Sequence, residues 1–316
     1  MKYNKLHKRL TIRSRKFLRY GAFLILLLPL LVAGSAIAIH PNYQRLTHSS
    51  LRQFRGEILI AQDCRDAETG EVRAPTDPLI PYIISPRRTF ILNNQPKLRW
   101  NKVPGVNNYT VSLVKGDRPI WETTVNGNEV VYPGEPKLES GVDYSVVVKA
   151  ENGKSSKEEK LSNREFKLLP KAEAEMVQNA ISQLNKQPTT DKTKALLRAY
   201  LYIGTELKSE AIDALEALVN AGTQEATIYR RLGELYWQSG LTLWAESNYL
   251  EAVKRATDLG EQAQVQTALG EMYIAINNQS EAARWLSLAM NSYKSLGNMQ
   301  RVKELETQIA KFKVSL

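Results

Sequence analysis

Hydrophobic residues follow three rhythms along this chain of 316 residues. From Gly21 to Ile39, "GAFLILLLPLLVAGSAIAI" runs nineteen residues without a charge. Between 81 and 168 apolar and polar positions alternate, and from 171 to 314 apolar positions recur at steps of three and four. These rhythms predict, in order, a membrane-crossing helix, a set of strands and an array of helices.

The third rhythm is the most regular. Tyr229 is followed by Leu232, Gly233, Tyr236, Ala245, Tyr249 and Ala252. The same steps from Gln266 give Leu269, Gly270, Tyr273, Ala282, Leu286 and Ala289. From Ala195 they give Ala199, Tyr202, Ala211, Leu215 and Leu218, with Arg198 at the Leu step. The repeat is 34 residues from Ala199 to Gly233 and 37 from Gly233 to Gly270, the extra three lying around "TDLGEQ". Tyr, Leu, Gly and Tyr at i, i+3, i+4 and i+7 share one face of a helix. The small residues are therefore expected where two antiparallel helices cross, with the aromatics filling the space beside them. One helical pair cannot bury its apolar face alone, so neighbouring units must stack. A helix at Ala172–Asn185 precedes the array. "NMQRVKELETQIAKF" follows it, with Val302, Leu305, Ile309 and Phe312 on one side as a solubilising cap. Tyr, Trp and Met at this spacing predict core rather than a cofactor pocket.

The second rhythm has period two. "NYTVSLV" sets Tyr109, Val111 and Leu113 against Thr110 and Ser112, and "VDYSVVVKA" puts Val142, Tyr144, Val146, Val148 and Ala150 on one face. Both predict half-buried antiparallel strands. "PIWETTV", "EVVY" and "REFKLL" are shorter candidates, separated by the turn sequences "VPGVNN", "VNGN", "YPGEP" and "ENGKSS". With no helical pattern between them, a small sandwich is expected.

Charge changes the picture at the head of the chain. The formal net charge is +10, yet residues 1–56 hold eleven Lys/Arg and no Asp or Glu. Of 43 basic and 33 acidic residues, 32 basic and 33 acidic remain beyond it. The folded part is thus not basic, and no nucleic acid is expected as a partner. Eight Lys/Arg precede the apolar run and three follow it within this segment, which places residues 1–20 in the cytoplasm and later residues outside. Residues 21–39 are read as an uncleaved single-pass anchor. "AIA" at Ala36–Ala38 keeps a cleaved signal peptide open as the alternative. Residues 40–80 form a linker. Both readings export the folded domains to the periplasm or the extracellular side.

Candidate chemistry is sparse. The three histidines are His7, His40 and His48, and the single cysteine is Cys64. No intramolecular disulfide can form, and the later domains have no imidazole or thiol for a zinc site, a Ser-His-Asp triad or a Cys-His pair. No Gly-rich phosphate loop is present, and carboxylates are spread along helix surfaces rather than paired across a pocket. An enzyme is not expected, and neither is a cofactor or a metal.

Two resemblances attach to these patterns. "LRWNKVPGVNNYTVSL" and "LESGVDYSVVVKAEN" resemble strands of a fibronectin type III domain. That resemblance implies an immunoglobulin-like β-sandwich over 81–168, with Trp100, Tyr109, Leu138 and Tyr144 in its core and the Tyr144 hydroxyl capping a nearby backbone group. The chain departs at "PYIISPRRTFILNNQP", which is longer and more apolar. The helical units resemble tetratricopeptide repeats over 171–314, and the whole is similar to a bacterial, membrane-anchored protein of that family.

The tetratricopeptide resemblance implies a non-enzymatic scaffold that takes a protein or peptide in a groove on the first helices of the units. The groove would be lined by Tyr200, Arg230, Glu234, Trp237 and Glu271. Family members that grip a terminal carboxylate use Lys and Asn; the position similar to that Asn is Glu234, a departure from such a clamp. Trp237 has two readings, a solvent-facing anchor or packing on the neighbouring unit. The alternative function is cell-wall or polysaccharide binding through the sandwich, with Trp121 and Tyr132 as stacking rings or as sheet packing.

Overall fold

The computed structural model describes residues 77–159 and 164–313. The basic segment 1–20, the apolar run 21–39, the linker up to residue 76, Cys64 and the three histidines lie outside the described residues. Among the described residues no helix is long and apolar enough to cross a membrane.

Among the described residues eight strands come first: β1 (Ile83–Ser85), β2 (Thr89–Ile91), β3 (Lys97–Trp100), β4 (Asn108–Lys115), β5 (Arg118–Asn126), β6 (Glu129–Val131), β7 (Tyr144–Ala150) and β8 (Phe166–Leu168). They form a three-stranded sheet in the order β1-β3-β6 and a five-stranded sheet in the order β2-β8-β7-β4-β5. Every pairing is antiparallel except β2 with β8. Alternation decides the faces. Tyr109, Val111 and Leu113 from β4 and Tyr144, Val146 and Val148 from β7 point inward to meet Leu98 and Trp100 from the other sheet. Trp100 and Tyr109 pack edge to face at 5.5 Å, and the Tyr109 hydroxyl accepts the Val103 N–H. The Tyr144 hydroxyl accepts the Glu139 N–H at 2.9 Å, the corner expected of it.

Among the described residues eight α-helices follow: α1 (Lys171–Asn185), α2 (Asp191–Gly204), α3 (Lys208–Asn220), α4 (Ala226–Gln238), α5 (Thr242–Arg255), α6 (Leu259–Ala275), α7 (Gln279–Ser295) and α8 (Met299–Lys313). The hairpins α2–α3, α4–α5 and α6–α7 are the three sequence units, and α8 packs on α7. Each first helix ends alike. The carbonyls of Tyr202, Tyr236 and Tyr273 accept the N–H groups of Leu207, Leu241 and Asn278, five residues on. The left-handed residue this requires is Gly240 in the second unit and Glu206 and Asn277 in the others.

The crossings explain the small residues. A Cβ built on Gly233 would lie 2.5 Å from the Tyr249 ring, and one on Gly270 would lie 2.4 Å from Leu286 Cδ2. Ala245 and Ala282 on the opposing helices are fully buried. The backbones meet there because nothing larger fits.

The two regions are joined by packing and by charge. Tyr82 and Ile84, on the apolar stretch that departs from the fibronectin pattern, belong to the core of the helical array, while Ile83 between them points into the β core. Phe90 and Leu92 pack against a third cluster that includes Val177 of α1 and Leu201 of α2. The surplus apolar residues are thus interface. Arg87, 1% exposed, donates from Nε to the Ser239 carbonyl at the end of α4 and from Nη1 to the Ile83 carbonyl, and it pairs with Glu159 at 2.7 Å. Arg99 forks onto Glu216 of α3 at 2.7 and 3.1 Å and also reaches Asp213. Trp244 Nε1 donates to the Tyr82 hydroxyl.

Candidate functional site

The β region engages the array through the turns between helices, through α3 and α5, and through Val177 of α1 and Leu201 of α2. The first helices, α2, α4 and α6, carry the residues expected to line a groove; each packs on the second helix of its own unit, and polar side chains link them to one another.

Arg230 is 3% exposed. Its Nε and Nη2 donate to Glu261 Oε1 and Oε2 at 2.6 and 3.1 Å, and its Nη1 donates to Glu234 Oε1 at 2.6 Å. The Thr227 hydroxyl completes the site on Glu261 Oε2. Burial works against the charged guanidinium, but the facing carboxylates of Glu234 and Glu261 prevail and raise its pKa. Glu261 comes from the longer turn: Asp258 caps α6 by accepting the Glu261 N–H, and the added turn lays Glu261 against α4. Arg230 is therefore engaged within the fold, not open to a ligand.

Trp237 takes the second of its two readings, packing within the array rather than anchoring a ligand. Spacing puts it opposite the packed set, and there it is 4% exposed, in the apolar core that includes Leu235, Met272 and Trp285. A helix in a stacked array has two buried flanks, because it meets both its own partner and the next unit; α4 touches α6 as well as α5. A large aromatic on that second flank is drawn in.

The remaining three stay at the surface. Tyr200 of α2 is half-buried, with the Arg231 guanidinium 5.9 Å from its ring centroid. Arg231 also donates to Glu234 Oε2 at 2.6 Å. Tyr200, Arg231, Glu234, Arg230 and Glu261 thus form one continuous chain of contacts across three first helices. Glu271 follows Gly270 as Glu234 follows Gly233, so the two carboxylates occupy equivalent places on α6 and α4. Burial raises the Glu271 pKa, Arg301 of α8 opposes the rise, and Glu234 adds to it. Arg231, Glu261 and Arg301 were not singled out from sequence. Only the three-residue excess before α6 signalled that something extra reaches α4.

The β region offers less. Tyr132 is fully buried and its hydroxyl donates to the Pro136 carbonyl. Half-buried Trp121 packs edge-on against it at 5.4 Å, so the two rings face each other. Among the described residues no group of three or more His, Cys, Asp or Glu side chains could hold a metal ion.

Solved structures resemble the helical half. They include the crystal structure of BtubC (BKLC) from P. vanneervenii, at 17% identity and a TM-score of 0.33, covering 46% of this chain and 73% of that one. The crystal structure of YrrB, described as a TPR protein with an unusual peptide-binding site, matches at 16% identity and 0.27, covering 44% and 79%. MamA MSR-1 C2 matches at 17% and 0.27, covering 43% and 91%. No family model matches the chain, and no curated protein does. Likeness at this level carries no argument. The tetratricopeptide-like character of the array rests on its own crossings at Gly233 and Gly270.

Proposed function

We propose that the chain is a membrane-anchored, non-enzymatic scaffold whose array receives an extended segment of a partner protein along α2, α4 and α6. One observation carries the reading. The β region packs on the turns, on α1, α3 and α5 and on Leu201 at the buried side of α2, while Tyr200 and Glu234 are linked through Arg231 and Glu271 lies within reach of the Glu234 charge. Three first helices held side by side, with polar and aromatic side chains at their surface, suit a bound peptide. The strand order β1-β3-β6 against β2-β8-β7-β4-β5, with the Tyr144 corner, supports reading the β region as fibronectin type III-like. Fused to the array through Arg87 and Arg99, it orients the groove rather than binding a ligand itself. The charge-free run at 21–39 and the basic residues before it support an anchor with the domains outside the cytoplasm.

Two experiments test this. A photo-crosslinking residue in place of Tyr200 is expected to trap a protein partner in cells, whereas the same residue at Thr123 on β5 traps none. Adducts from Thr123 alone would move the binding surface to the β region and overturn the groove. The sole cysteine, Cys64, is expected to react with a membrane-impermeant maleimide in cells whose outer envelope is permeabilised. Protection until the inner membrane is lysed would overturn export.

A further inference from the structure

Among the described residues, the acidic side chains of the groove are matched in every instance but one. Glu234 accepts from Arg230 and Arg231, Glu261 accepts from Arg230 and Thr227, and Glu304 accepts from Arg301 at 2.6 Å. Glu271 accepts no hydrogen bond and joins no ion pair; only the more distant charges of Arg301 and Glu234 act on it. Arg301 is already engaged by Glu304 and lies over the Tyr293 ring at 5.6 Å. Glu271 is nonetheless half-buried.

A half-buried carboxylate whose neighbours are all paired with one another, and which has no donor from the fold, is open to a cation from outside. The usual obstacle to an ion pair at an interface is that both ions must lose hydration. At Glu271 folding has already thinned one of the two shells, so less hydration is lost when a cation arrives. Ile274, three residues on, is part-buried against the array core and offers an apolar surface for an aliphatic stem.

We propose that Glu271 anchors the groove's occupant by receiving a basic side chain, a Lys or Arg on an extended segment of the partner protein. The inference rests on the groove reading above and gives that occupant its chemistry.

The test uses the full chain in detergent and three pools of short, end-blocked, fluorescent peptides. The pools are randomised except for a central position fixed as Lys, norleucine or Glu, and binding is read by anisotropy. The expected result is that the Lys pool binds about tenfold more tightly than the norleucine pool, with the Glu pool weakest. Glu271→Gln is expected to erase the Lys advantage, bringing the Lys pool to the level of the norleucine pool, with a thermal midpoint no lower than the parent's. Persistence of the advantage in Glu271→Gln would overturn the assignment. Equal binding of all pools would overturn it while leaving the groove intact, and failure of every pool to bind would sink the groove reading with it. Self-association of the chain that Glu271→Gln abolishes would name a second copy as the occupant and overturn the peptide.

Discussion

Arg230 of α4 and Glu261 of α6 form a two-pronged ion pair, with Nε to Oε1 at 2.6 Å and Nη2 to Oε2 at 3.1 Å. They are 31 residues apart in the chain and both are buried. Removing the charge on Glu261 leaves the guanidinium with Glu234 alone. Glu261→Gln is therefore expected to lower stability by about 1–3 kcal/mol, whereas Glu234→Gln, at a more exposed carboxylate, costs under about 1 kcal/mol. Chemical denaturation of the two variants checks the order, and an equal loss would contradict the clamp.

The crossings give a paired prediction. Gly→Ala inside a helix favours the helix by about 1 kcal/mol when space allows. At Gly270 the new methyl group would meet Leu286 Cδ2 at 2.4 Å and the Leu286 backbone nitrogen at 3.3 Å. At Gly204, at the end of α2, nothing lies within 4 Å and the backbone is not left-handed. Gly270→Ala is expected to destabilise by about 1–3 kcal/mol through overpacking, and Gly204→Ala to be neutral or stabilising by up to about 1 kcal/mol. Thermal midpoints of the pair decide it. A Gly270→Ala protein as stable as the parent would show that the helices need not approach so closely.

Trp237 gives a prediction about folding rather than binding. Truncation of a buried indole to Ala is expected to cost about 3–5 kcal/mol, visible as a large drop in the denaturation midpoint. A midpoint that hardly moves, with partner binding lost instead, would return Trp237 to the open groove.

Glu210 makes stability depend on pH. Its Oε1 accepts the Leu92 N–H at 2.7 Å across the junction between the β region and α3, while Oε2 is buried without a hydrogen-bond partner. Burial pushes the carboxyl up to about 7; the N–H groups of Leu92 and of Glu210 itself work against the rise, and Asp213 adds to it. The folded value lies above the unfolded one of 4.5, so the native state holds a proton that the unfolded chain releases. The stabilisation from that proton is complete below the unfolded value and is lost as pH rises through about 7. Glu210→Gln mimics the protonated form. It is expected to match the parent near about pH 3.5 and to exceed it by up to about 3 kcal/mol near about pH 8.5. A constant difference at both pH values would show that Glu210 titrates normally.

Spacing alone determined the helical hairpins. Gly233 and Gly270 sit where the backbones cross because a helix repeats every 3.6 residues, and a small residue at a fixed step marks a fixed point on its surface. Alternation determined the inward faces of β4 and β7 in the same way. Only the tertiary structure decided which flank of α4 remained outside, and it buried Trp237 and Arg230. It also decided that the apolar stretch around Tyr82 and Ile84 serves the array, and that Arg87 reaches Ser239 across 152 residues. Periodicity reports the one face that a helix or strand turns toward its nearest partner. A second buried face exists only once another unit has docked on it, and contacts between residues so far apart leave no local pattern in the chain.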